Sequence, residues 1–283
     1  MSGKLEKLSS WVQDAQAIGM QVILVHDVAD NETGTALRNL LDSISSTNPQ
    51  TRTQLIEGKY GNPGSARNAG LEIANGDWIV FWDCDDRPKL AEFLSVIKEA
   101  NKGLSDIVIS SFETCEDAVE EVTKTFIVPD RENLLPYLVR NPGIWRFAFR
   151  KEVIKEIRFP ASRMGEDQAF IASIGILERR IFLSSNITYR YYYGESTHLT
   201  NQRAAWEDLQ ISITEIQKTV LRQTGLNKKL SQFFLMKQII TCVKRCKLST
   251  KMFALGVFLY QAFKDLRFIR LAGLIVFSRE AIS

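Results

Sequence analysis

Five apolar residues, Trp78-Ile79-Val80-Phe81-Trp82, run directly into Asp83-Cys84-Asp85-Asp86. A short apolar run opened by a turn signal, here Asn75-Gly76-Asp77, predicts a buried strand. Strands of this kind belong to sheets with helices on both faces. The three carboxylates at its end repel one another unless a positive partner sits among them.

The flanking sequence has the same grammar. Leu5, Leu8, Val12, Ala15 and Ile18 recur at helical spacing, and Gly19 stops the helix. Residues 21–26 predict a strand ending at Asp27, 35–44 a helix, and 54–56 a brief strand. The glycine-rich loop Gly58–Gly64 leads into a helix over 65–74. Beyond the carboxylates come a helix over 89–100 and a strand over 106–110. Further on, strands are expected near 125–128, 145–149 and 187–193, and helices near 133–139 and from Glu166. After Asn201 the pattern is helical almost to the end. Helices alternating with apolar strands predict an α/β fold with a mostly parallel sheet. In such sheets ligands bind beyond the carboxyl ends of the strands, so Asp27 and Asp83–Asp86 should share one rim.

Composition narrows the function classes. No run reaches the roughly 18 apolar residues that a membrane-spanning helix needs. Residues 1–10 lack the apolar core of a signal peptide. The 4 cysteines among 283 residues form no CxxC, and with 2 histidines they favour neither a disulfide framework nor a structural zinc site. A cytoplasmic setting follows. From Lys218 onward stand 13 Lys/Arg against 2 Asp/Glu, a net of +11, which leaves −8 on the rest. Residues 226–283 combine apolar blocks with Lys244, Arg245, Lys247, Lys251, Lys264, Arg267 and Arg270. This predicts basic amphipathic helices that lie on an anionic membrane surface, or a helical subdomain with solvated lysines. Nucleic acid is not the expected partner, since no nucleic-acid motif accompanies the charge.

Mg²⁺ or Mn²⁺ would resolve the carboxylate crowding, because these ions take one or two carboxylates plus substrate phosphates. The competing explanation is a solvated turn whose aspartates cap the next helix. A haloacid-dehalogenase-like phosphatase is disfavoured, since Arg87 stands where that motif wants Thr or Val. The loop Gly58–Gly70 is neither a dinucleotide fingerprint nor a P-loop. It still places glycines and Arg67 at a helix start, where backbone N–H groups favour anions.

Together these stretches resemble a family-2 glycosyltransferase of the GT-A fold. "GNPGSARNAGLEIANGDWIVFWDCDD" is similar to that family's glycines, Ala-Arg-Asn-x-Gly, Gly-Asp, apolar strand and Asp-x-Asp-Asp. "VILVHDVADNETG", "GEDQAF" and "ITYRYYYGESTHLT" resemble its first acidic loop, its Glu-Asp helix start and its tyrosine-rich strand. The resemblance runs from about Leu5 to Thr200. It implies a GT-A-like (Rossmann-like) domain over 1–200, with nucleotide binding in about 1–111 and the acceptor part in about 112–200. A basic helical region over 201–283 would follow.

The resemblance also implies roles. Asp27 would accept from the base of a nucleotide-sugar, most often uracil, and Arg67 would lie near base or diphosphate. Asp83 would face the ribose and, with Asp85, hold Mn²⁺ or Mg²⁺. His198 is a candidate third ligand. Asp167 would take the acceptor's proton, with Glu166 orienting it. Trp145 and the tyrosines at 191–193 could stack on sugar rings or be core. The implied activity is an inverting, metal-dependent sugar transfer, from a UDP-sugar to a glycan or lipid-linked acceptor, in surface polysaccharide synthesis. The alternatives are a truncated, non-catalytic transferase-like binding protein and a sugar nucleotidyltransferase, which wants a glycine-rich loop nearer the N-terminus.

The family opens with an apolar strand ahead of its first helix, lying between the strands that carry Asp27 and Asp85. Here the first helix begins at residue 5. The expectation is therefore that Met1 is internal or the gene truncated upstream, and that strands 21–26 and 78–82 are not directly paired.

Overall fold

The computed structural model describes residues 2–27, 31–47, 53–116, 120–194 and 202–271. In chain order the elements are α1 (Ser2–Ala17), β1 (Val22–Asp27), α2 (Asn31–Thr47), β2 (Thr53–Gly58), α3 (Pro63–Ile73), β3 (Trp78–Ile79), β4 (Arg87–Pro88) and α4 (Leu90–Lys102). Then follow β5 (Ile107–Glu116), β6 (Glu121–Phe126), α5 (Leu134–Arg140), β7 (Phe147–Arg150), α6 (Lys151–Ile154), α7 (Glu166–Ile174) and β8 (Ile181–Tyr193). α8 (Leu209–Arg222), α9 (Gly225–Arg245) and α10 (Leu248–Lys264) complete the series. They fall into two compact units, one of residues 1–137, 143–158 and 179–195, the other of 138–142, 159–178 and 196–283.

Every strand of the described residues lies in the first unit. β1 pairs β2 in parallel, with Asp27 opposite Gly58. The second sheet has the order β3-β7-β5-β8-β4, with β6 also on β5. Its longest ladder, β5 with β8, is parallel, and the shorter ones are antiparallel. The α/β fold is thus as expected, and by paired length the sheets are mostly parallel.

β5 runs six residues past the expected 106–110, although Ser110, Ser111, Glu113 and Thr114 break its apolar pattern. These polar groups have partners, so burial costs little. Ser111 Oγ donates to the Ser184 carbonyl at 3.1 Å and accepts from Val128 N–H at 2.9 Å. Glu113 is ion-paired with Lys89 at 2.9 Å and Arg190 at 2.7 Å. β8 is longer than the expected 187–193 because its first residues continue that ladder.

Around β1 the helices pack by face. Val22 and Leu24 join Leu8, Trp11, Val12 and Ala15 of α1 and Leu37 and Ile44 of α2 in one cluster. Ile23 and Val25 face Gly70 of α3, where a Cβ would lie 3.2 Å from Val25 Cγ2. Each fully buried aliphatic side chain contributes about 1.5–3 kcal/mol, so this cluster anchors both helices.

The expected strand 78–82 forms a ladder only at Trp78 and Ile79, which pair with Arg150 and Phe149 of β7. Beyond Ile79 no strand of the described residues lies alongside. β1 and β3 are not paired, as expected, and both line a cavity of about 920 Å³.

The second unit is helical. In α7, Phe170 stacks on Phe159 with ring centroids 3.9 Å apart. Gln223 Nε2, just after α8, donates to the Ala172 carbonyl at 2.7 Å. Asn227 of α9 accepts from Leu177 N–H at 2.9 Å. α10 leaves apolar side chains exposed, including Phe263 at 87% and Leu259 at 65%. Among the described residues no helix is long and apolar enough to cross a membrane.

Candidate active site

Asp27 ends β1 and grips the glycine-rich loop. Its Oδ1 accepts from the Tyr60 N–H at 2.8 Å and its Oδ2 from the Gly61 N–H at 2.7 Å. Gly61 has φ +69°, a left-handed conformation that glycine adopts without strain. The loop then enters α3 through an Asn-Pro start. Asn62 caps the helix by accepting from Ser65 N–H at 2.8 Å, and Pro63 takes the first turn. This cap moves the helix start from the expected residue 65 to 63. It also sets Arg67 one turn in.

Arg67 Nη2 donates to Asp83 Oδ1 at 3.1 Å. The guanidinium at the head of α3 and the first aspartate after β3 therefore meet on one rim, together with the charge balance that the sequence demanded. The turn Asp83–Asp86 closes through Asp86 N–H to the Asp83 carbonyl at 3.2 Å. Asp85 is half-buried on this turn.

Asp86 stands apart from the expected cation ligands Asp83 and Asp85. It is 1% exposed and turned to β8. The Tyr189 hydroxyl donates to its Oδ2 and the Tyr192 N–H to its Oδ1, both at 2.7 Å. Burial, then the Asp83 charge beside it, raise its pKa well above the usual carboxylate range, against those two hydrogen bonds. Crowding is thus relieved by the turn of Asp86 toward its donors on β8 as well as by Arg67. No spacing rule in the sequence distinguishes Asp86 from Asp85, but the tyrosine-rich strand was a usable signal for such a partner.

Next to this turn stands an aromatic wall. Trp145 stacks on Tyr189 at 4.8 Å and Tyr191 at 5.5 Å between centroids, and meets Phe112 edge-on at 4.5 Å. Trp145 and Tyr191 remain half-buried, whereas Tyr189 is fully buried.

Glu166 and Asp167 form the first turn of α7 in the second unit. The helix starts after Gly165, which has φ +77° and whose carbonyl accepts from Gln238 Nε2 at 3.0 Å. Glu166 is buried and Asp167 half-buried. His198 lies outside the described residues.

The donor set can be tested against a divalent cation. Among the described residues no group of three or more His, Cys, Asp or Glu could hold a metal alone. Asp86 is committed to β8 and one oxygen of Asp83 to Arg67. Asp83 and Asp85 stand together on the one turn. One or two carboxylates completed by substrate phosphates and water suit Mg²⁺ or Mn²⁺, so the residues fit a site that substrate completes.

The sheet order and this rim define the GT-A fold of glycosyltransferases. TarS of Staphylococcus aureus, solved in complex with UDP-GlcNAc, superposes with a TM-score of 0.64 at 17% identity, over 90% of this chain and 75% of that one. The mannosyltransferase PcManGT from Pyrobaculum calidifontis, in complex with GDP-Man and Mn²⁺, gives 0.53 at 15% identity, over 95% and 81%.

Residues 13–158, just over half of the chain, match Glycosyl transferase family 2, and the chain belongs to that family. It is similar to glycosyltransferase GlyG of Streptococcus pneumoniae, 22% identical over 61% of this chain and 60% of that protein. It is also similar to the succinoglycan biosynthesis protein ExoO of Rhizobium meliloti, 22% identical over 76% and 64%. The chain thus spans about three fifths of the length of these curated relatives.

Proposed function

We propose that this chain transfers a sugar from a nucleotide-sugar, a UDP-sugar by preference, to a hydroxyl of a glycan or lipid-linked acceptor, with inversion at the anomeric carbon. The carrying observation is the rim where Arg67 meets Asp83 beside Asp85, with Asp27 fixing the adjoining glycine loop. The names of GlyG and ExoO support sugar transfer in polysaccharide assembly.

In this reading residues 1–111 handle the donor and 112–200 the acceptor, with 201–283 a helical region. Asp27 keeps a lone pair on each oxygen for the base, and Arg67 attracts the diphosphate. Asp83 faces the ribose. Asp85, with Asp83 and His198 as further ligands, would hold Mn²⁺ or Mg²⁺. Bound there, the cation would neutralise the charge growing on the departing diphosphate. The acceptor oxygen bonds to the anomeric carbon as the bond from that carbon to the phosphate oxygen breaks. Asp167 takes the acceptor proton, oriented by Glu166. Trp145 and Tyr191 offer a flat aromatic face for a sugar ring.

The acceptor side of this reading includes an anionic membrane surface on the cytoplasmic side. Leu248, Met252, Leu255, Leu259, Phe263 and Leu266 recur at helical spacing and are all exposed. Lys251, Lys264 and Arg267 flank them. An exposed apolar stripe with basic borders suits an anionic lipid interface.

The open cavity between β1 and β3 favours a second reading, a transferase-like binding protein without turnover. Calorimetric titration of UDP, with and without Mn²⁺, separates the two, followed by assay of sugar release from UDP-sugars. Metal-dependent binding with turnover supports the transferase. Binding without turnover supports the second reading.

A further inference from the structure

Asp167 stands in the first turn of α7, and that helix has no side-chain cap of its own. Gly165 opens it, and α7 is only 9 residues long. A helix so short is held by packing rather than by propensity. Where Asp167 stands therefore depends on what grips the segment ahead of it, Ser162-Arg163-Met164-Gly165.

Asp208, at the N-cap of α8, supplies the main grip. Its Oδ2 accepts from Arg163 Nε at 2.7 Å and from the Arg163 N–H at 3.1 Å, and its Oδ1 accepts from Arg163 Nη2 at 2.9 Å. Arg163 Nη2 also donates to the Ala204 carbonyl at 3.0 Å. A charge-assisted, planar fork of this kind fixes direction as well as distance. The Arg163 side chain holds the Asp208 carboxyl below the usual carboxylate range, so the pair stays ionised at neutral pH. Around the fork, Ser162 Oγ donates to the Asp208 carbonyl at 3.1 Å and Ser212 Oγ to the Met164 carbonyl at 2.9 Å. Gln238 Nε2 donates to the Gly165 carbonyl at 3.0 Å. Consecutive residues are thus tied to α8, to the turn Arg203–Asp208 ahead of it and to α9. Surface loops are ordinarily held loosely, and Arg163, Met164 and Gly165 are only half-buried. The stiffness serves the carboxylates that follow more than the core.

We propose that Arg163 and Asp208, with Ser212, are positioning residues for sugar transfer: they set where the Asp167 carboxylate stands as it takes the proton of the attacking hydroxyl. In that step the hydroxyl oxygen bonds to the anomeric carbon, the nucleoside diphosphate leaves with the electron pair, and the proton ends on Asp167. This role rests on the transferase reading. A misplacement of about 1 Å at such a group lowers the rate roughly 10²-fold.

The test measures sugar release from UDP-glucose, UDP-galactose and UDP-GlcNAc to water, in Mn²⁺, by the full chain and its variants. Arg163→Lys keeps the cation and loses the fork. It should lower kcat about tenfold or more and leave KM for the nucleotide-sugar within about twofold. Ser212→Ala removes only the bond to the Met164 carbonyl and should lower kcat in the same way, less steeply. Asp167→Asn should lower kcat by about 10²–10⁴-fold. Arg163→Lys added to Asp167→Asn should then lower it no further, because groups that act as one unit are not additive. Should Arg163→Lys not fold, Ser212→Ala decides in both backgrounds. Parental kcat in the folded variant, or the same loss with and without Asp167, would overturn the positioning role and leave the transferase reading standing. Release from none of the three sugars by the parent would overturn the transferase reading, and the positioning role with it.

Discussion

The Tyr189 hydroxyl donates to Asp86 Oδ2 at 2.7 Å. The Tyr189 phenol oxygen also accepts from the Asp83 N–H at 3.1 Å, so one phenol holds both ends of the acidic turn. Tyr189→Phe removes both bonds within a fully buried environment. The expected loss is about 1–3 kcal/mol, read as a lower urea midpoint. Nucleotide affinity should fall too, because Asp85 sits between the two released ends. A variant with unchanged midpoint would show that the turn is fixed elsewhere.

Asp86 and Glu113 should give stability opposite pH signs. The folded pKa of Asp86 is raised, so its contribution is complete below its unfolded value, about 3.9, and is lost as pH rises through the folded one. For Glu113, burial raises the pKa but Lys89 and Arg190 outweigh it, leaving the value lowered. Its contribution stands above about 4.3 and disappears as pH falls through the folded value. Asp86→Asn should therefore gain on the parent as pH rises from about 4 to about 8. Glu113→Gln should compare worst with the parent near neutral pH and least badly in acid. Urea midpoints across that range test both slopes.

Two glycines predict opposite outcomes for the same substitution. Gly165 has φ +77°, and a Cβ there would lie 2.5 Å from Gln238 Nε2. Gly165→Ala should cost at least about 1–2 kcal/mol from the left-handed backbone alone. Gly256 lies within α10, and its added Cβ meets nothing within 4 Å. Gly256→Ala should stabilise by about 0.5–1 kcal/mol. Thermal melts of the two variants decide the pair.

Asp85→Ala should weaken UDP binding roughly tenfold or more, about 1.4 kcal/mol, in Mn²⁺ and leave metal-free binding unchanged. Arg67→Lys keeps a cation near Asp83 but loses the planar fork. It should weaken UDP binding with and without metal. Loss confined to Mn²⁺ for Arg67→Lys would move the metal site toward Asp83.

Much of this was legible because apolar runs and punctuation residues act locally. The run at 78–82, the glycine loop and the Gly-Glu-Asp helix start each announce an element from within a few residues. The length of β5 was not legible, since the polar residues that break its pattern are satisfied by β8, about seventy residues away. The division of labour among the aspartates was hidden for the same reason. Asp85 and Asp86 differ only in what β8 brings to them. Asp27 is legible as the end of an apolar strand, but its two backbone donors come from a turn whose shape no pattern in the sequence prescribes.

That grip has a consequence for how the gene can vary. With both oxygens of Asp27 holding consecutive amides of the loop, the loop's shape is encoded at two positions, Asp27 and left-handed Gly61. Saturation mutagenesis scored by protein abundance should register them as a linked pair of intolerant sites, while exposed Lys59 between them accepts most replacements.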